Sequence, residues 1–125
     1  MEEIHEAKLK PSTIETLLHL LDEQLEYHPS WVSYHFPAVD ERGRAEYGDV
    51  ENLSPGEADS FRELLAYKIR YAQKRLWHQR ANSLTFLEPK GVEPNGNYWS
   101  IQIAVLREAI VDICKAYNLT NPLGE

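Results

Sequence analysis

Cysteine, glycine motifs and long apolar runs are what this sequence has least of, and each scarcity removes a class of explanation. The single cysteine, Cys114, cannot close an internal disulfide. It falls inside an apolar helical pattern, so a buried, inert thiol in a reducing compartment is expected, which points to the cytoplasm. No apolar run approaches the roughly 20 residues of a membrane-spanning helix, and the opening "MEEIHEAKLK" lacks the apolar segment of a secretory leader. Neither export nor membrane insertion is expected.

Glycine is confined to scattered turns. No Gly-x-Gly-x-x-Gly, P-loop or Gly-x-Ser-x-Gly elbow occurs, and "PNGN" is too short to cradle a phosphate. No His-x-x-x-His or Cys-x-x-Cys pairing sets two metal ligands on one face. His28, His35 and Asp40 are therefore read as ordinary structural residues, with no metal and no cofactor expected. Adjacent carboxylates such as Asp22 and Glu23 diverge on a helix, which leaves acid–base chemistry without a visible home.

Positive charge is also in deficit. Thirteen Lys and Arg stand against twenty Asp and Glu, giving a net charge of −7 that disfavours general attraction to nucleic acid or to an anionic membrane. At 125 residues, 42% of them hydrophobic, the chain suits one folded domain spanning 1–125.

Within that domain, "PSTIETLLHLLDEQLEY" reads as a first helix. Ser12 and Glu15 are placed as a capping box, and Ile14, Leu17, Leu18, Leu21 and Leu25 as its apolar stripe. From Trp31 to Phe36 the pattern alternates, with Val32, Tyr34 and Phe36 on one side and Trp31, Ser33 and His35 on the other. After "DERG", the stretch "RAEYGDV" returns as a partner strand, so a β-hairpin is expected, with His35 opposite Arg44 or Glu46. Next comes a long helix, opened by Ser54, Pro55 and Glu57 and running to about Asn82. "SLTFLEP" suggests a short strand and "PKGVEPNGN" a loop. The last helix, about 97–117, is apolar around most of its circumference, which makes it either the centre of the domain or half of an interface between copies. The expected fold class is α+β and helix-dominated, with three main helices packed on a small antiparallel hairpin.

The functional signal lies in "YKIRYAQKRLWHQR", residues 67–80. With Phe61, Leu65, Ile69, Ala72 and Leu76 turned inward, helical geometry sends Tyr67, Arg70, Tyr71, Lys74 and His78 to the other side. No acid occurs from Leu64 to Leu87, whereas Lys68, Arg70, Lys74, Arg75 and Arg80 supply five positive charges. Against a total of −7, the remainder of the chain carries −12. Rings interleaved with guanidinium and ammonium groups suit phosphates, bases or a carboxylate-rich partner. Alternatively the acidic remainder clamps this face internally.

The sequence is thus read as a non-catalytic binding protein, expected to be a homodimer. Its binding residues are Tyr67, Arg70, Tyr71, Lys74 and His78, joined by Trp31, His35 and Arg44 of the hairpin, and its target is an anionic small ligand or a protein partner. A small enzyme centred on His78 or His35 and an acidic inhibitor or nucleic-acid mimic are the alternatives.

Overall fold

The computed structural model describes residues 9–84 and 97–124. Among them are six helices and no strand: α1 (Pro11–Tyr27), α2 (Pro29–His35), α3 (Pro37–Arg42), α4 (Tyr47–Glu51), α5 (Pro55–Leu84) and α6 (Tyr98–Ala116). Proline opens four of them, at residues 11, 29, 37 and 55. Its fixed φ already matches a helix, and its missing N–H falls where no intrahelical acceptor exists. The expected strand "SLTFLEP" starts at Ser83 and Leu84, which are the last turn of α5. Its remainder, and the loop "PKGVEPNGN" as far as Gly96, lie outside the described residues.

The α+β expectation is overturned, and the hairpin is where it fails. In place of two strands, residues 29–51 form three short helices in succession. Val32 and Phe36 are buried at 0% and 2% exposure, and Val39 at 2%, while Tyr34 is 82% exposed. The inward residues are therefore spaced four and three apart, a helical period broken between α2 and α3 by Pro37; the alternation of Val32, Tyr34 and Phe36 was a coincidence of ring-bearing residues. Gly43 ends α3 at φ 80°, a left-handed conformation that favours glycine. The stretch after it opens α4, where Glu46 and Asp49 cap each other's backbone N–H groups, the Glu46 N–H donating to Asp49 Oδ2 at 2.6 Å.

At α1 the first helical residue is Pro11 and the N-cap is Lys10, so the anticipated Ser12–Glu15 box does not form. The Lys10 N–H instead donates to Asp112 Oδ2 of α6 at 2.9 Å, tying the two helices together. The buried stripe of α1 runs through Ile14, Leu17, Leu20, Leu21 and Gln24, with Leu18 and Leu25 only partly covered. At α5 the box does form. The Glu57 N–H donates to Ser54 Oγ at 3.1 Å, and the Ser54 N–H to Glu57 Oε1 at 3.0 Å.

The core gathers between α1, α5 and α6, with the short helices closing one side. Phe61, Leu65 and Ile69 of α5 are fully buried beside Leu17, Leu21, Ile110 and Ile113. Phe36 reaches Phe61 with ring centroids 5.1 Å apart, which pins the α2–α3 corner to α5. On α6 the inward residues are Ile103, Leu106, Ala109, Ile110 and Ile113. Ile101, Val105 and Val111 remain 55%, 41% and 43% exposed, so the described residues cover only one side of this helix. None of the described helices is long and apolar enough to cross a membrane.

Candidate functional site

On α5, the four inward residues Phe61, Leu65, Ile69 and Ala72 are buried and Leu76 is half-buried. Their burial turns Tyr67 outward at 63% exposure and Tyr71 at 47%, with Arg70, Lys74 and His78 exposed on the same side. Residues 67, 71, 74 and 78 lie on the opposite azimuth from 61, 65, 69 and 72, so the packing that buries the second set does not cover the first.

Tyr67 and Tyr71 face a neighbour. Where α1 ends and α2 begins, the chain turns at His28, the shared cap of both helices, and places Trp31 opposite α5. Between them opens a cleft of about 410 Å³. Gln24, His28 and Trp31 form one wall, and Leu64, Tyr67, Lys68 and Tyr71 the other, with Glu63 at the margin. Trp31 contacts His35 and Phe36, at ring-centroid distances of 4.6 and 5.8 Å.

Lys68 stands between this cleft and a second one, about 530 Å³, bounded by Asp22, Glu23 and Glu26 of α1 and by Tyr98 and Trp99 of α6. Its ammonium lies 3.1 Å from Glu23 Oε1. Trp99 continues the aromatic lining, 6.0 Å from Tyr71 and 4.8 Å from Tyr98, and the Arg75 guanidinium lies over its ring at 5.6 Å.

The internal clamping that an acidic remainder permits is therefore realised at Lys68, through Glu23. Arg70 and Lys74 make no ion pair or hydrogen bond with a described residue. Among the described residues, His78 has a ring contact with the adjacent Trp77, edge to face at 5.1 Å.

Of the residues expected to act together, Trp31, Tyr67 and Tyr71 share the first cleft, while Arg70, Lys74 and His78 lie along the same helix outside its lining. His35 and Arg44 do not face one another across a ladder, because residues 29–51 form short helices. The His35 Nδ1 is 2.7 Å from Ser60 Oγ of α5, a contact that joins α2 to α5. Arg44 is exposed in the connection before α4 and lines neither cleft. Gln24, Lys68, Glu63 and Trp99 were not singled out as site residues from the sequence. Gln24 carried a visible signal, as a polar residue three places beyond Leu21 on an apolar stripe.

Among the described residues no three His, Cys, Asp or Glu side chains gather in a way that could hold a metal ion. Cys114 is buried, its Sγ donating weakly to the Thr120 carbonyl at 3.8 Å; burial raises its pKa, with the Arg62 charge opposing in part. The chain matches no protein-family model, no curated protein and no solved structure.

Proposed function

We propose that this chain is a non-catalytic binding protein that recognises an anionic ligand, or an acidic patch on a partner protein, through the basic–aromatic face of α5. The observation that carries this reading is the exposure of Tyr67 and Tyr71 beside Arg70 and Lys74, two cations without a described counter-ion. Exposed tyrosines are not needed to complete the buried face of this helix, and cations beside them without a described counter-ion supply charge-assisted donors. A reducing cytoplasm fits the free, buried Cys114.

The test is capture. Protein purified from its own host and examined by native mass spectrometry should retain an added mass, which Arg70→Ala together with Lys74→Ala abolishes while circular dichroism stays unchanged. Loss of helical signal in that double variant, or the same added mass on it, overturns the reading.

Self-association is part of the proposal. Ile101, Val105 and Val111 form an uncovered stripe on α6, and the groove along it, which also takes in Ala104, is edged by Lys10, Arg107 and Glu108. An apolar strip with an edge of both signs complements itself across a two-fold axis. Val105→Lys should convert a dimer into a monomer in sedimentation equilibrium, and a wild-type monomer at high concentration removes this part.

Catalysis is the weaker reading because His35 is engaged by Ser60 and His78 stands in the open, so neither is set against a carboxylate among the described residues. For the acidic inhibitor, the charge pattern argues otherwise, since its acids are interspersed with bases rather than arrayed.

A further inference from the structure

We infer that the first cleft receives a planar nitrogen heterocycle carrying an anionic tail, a ligand of the nucleotide class. Its ring lies among Trp31, Tyr67 and Tyr71, with its polar edge on Gln24. The inference rests on the anion-recognition reading above and narrows it.

Gln24 is the starting point. Its side chain lines the cleft although the residue is only 4% exposed, and its carboxamide forms no hydrogen bond with a described residue. The carboxamide is not sealed off from solvent, yet it occupies a stripe position where an apolar residue is expected. A carboxamide presents a donor and an acceptor side by side in one plane. The complementary object is a ring edge with an adjacent acceptor and donor, as purines and pyrimidines have.

The walls fit the same object. Trp31 contacts the rings of His35 and Phe36, and Tyr67 and Tyr71 bring further ring surface from α5. Stacking on such surfaces is tolerant of base identity. A volume of about 410 Å³ lies within the range of small-molecule sites, roughly 300–1,000 Å³.

Charge decides which end enters. Inside the cleft Lys68 is answered by Glu23, and Glu63 adds a carboxylate, so the lining offers no surplus cation to a phosphate. Further along α5, Lys74 continues the azimuth of Tyr67 to within about 20°, exposed and without a described counter-ion. The neutral ring belongs inside and the anion outside, toward Lys74.

The experiment titrates the full chain by calorimetry with AMP, GMP, CMP and UMP, and with ribose 5-phosphate as the ring-free control. At least one nucleotide should bind at least about tenfold more tightly than ribose 5-phosphate. Gln24→Met should weaken that nucleotide about tenfold without changing the control. Tyr67→Ala, at an exposed position that folding does not depend on, should also weaken it, and keeps the test open if the Gln24 variant is unstable. Lys74→Ala should weaken nucleotide and control alike. If ribose 5-phosphate binds as tightly as every nucleotide, the anion surface stands and the heterocycle inference falls. If nothing binds at millimolar concentration, both fall.

Discussion

The Lys68 ammonium and the Glu23 carboxylate meet at 3.1 Å across the line where α5 faces α1, and the pair separates two clefts of different character. On one side lie Gln24 and Trp31; on the other the acids of α1 confront Trp99. With side-chain exposures of 22% and 45%, the pair is worth at most about 1 kcal/mol to folding. Its larger effect is to withdraw one cation from an otherwise basic face.

Glu23→Gln should accordingly release Lys68. Anion affinity should rise about threefold to tenfold at low salt, with the gain fading as ionic strength approaches about 0.5 M, while the urea midpoint barely moves. Unchanged affinity with a large loss of stability would show that the pair is a structural tie instead.

The contact between His35 and Ser60 leads to a different expectation. It is partly buried and joins a seven-residue helix, too short to persist alone, to the long α5. Ser60→Ala should cost about 0.5–1.5 kcal/mol in urea denaturation, and His35→Ala somewhat more because Trp31 loses the ring behind it. Nucleotide binding should weaken in the His35 variant, through Trp31, and hold in the Ser60 variant.

At the start of α5 the reciprocal cap of Ser54 and Glu57 answers two backbone donors that would otherwise be left to solvent. Ser54→Ala should destabilise by about 1 kcal/mol, whereas Ser12→Ala, at the position the sequence suggested for a cap and the structure does not use, should leave thermal unfolding within about 0.5 kcal/mol of the parent.

Alkaline pH tests Cys114. Burial holds its thiol above the ordinary value, so the folded chain favours the neutral form. That contribution is complete below the pKa of the unfolded thiol and is lost as pH rises through it toward the folded value, because the unfolded chain releases its proton first. The urea midpoint should fall as pH rises past the ordinary thiol value of about 8.5, and more gently in Cys114→Ala. Iodoacetamide should label the native thiol slowly and the urea-unfolded chain at once.

The sequence was most legible where one period ran long enough to be unambiguous. Phe61, Leu65, Ile69 and Ala72 repeat through several turns, and that repeat places Tyr67, Tyr71 and Lys74 on the solvent side. Between residues 29 and 51 each segment is only five to seven residues long, a length at which Val32, Tyr34 and Phe36 satisfy a strand's alternation as readily as Val32, Phe36 and Val39 satisfy a helix. The deciding information was in Pro29 and Pro37, which read as terminators of the preceding segment although each is also the first residue of a new helix. The cleft was less legible still. Tyr67 and Trp31 are 36 positions apart in the chain, and their meeting depends on the turn at His28, which no local spacing encodes.

The three tryptophans are distributed so that the chain carries its own optical probe. Trp31 stands in the first cleft and Trp99 in the second, while Trp77 is 66% exposed on the outer part of α5. Replacing Trp77 and Trp99 by phenylalanine would leave an emitter whose quenching records occupancy of the first cleft alone. The variant retaining only Trp99 would record the second, allowing either to be titrated without a label.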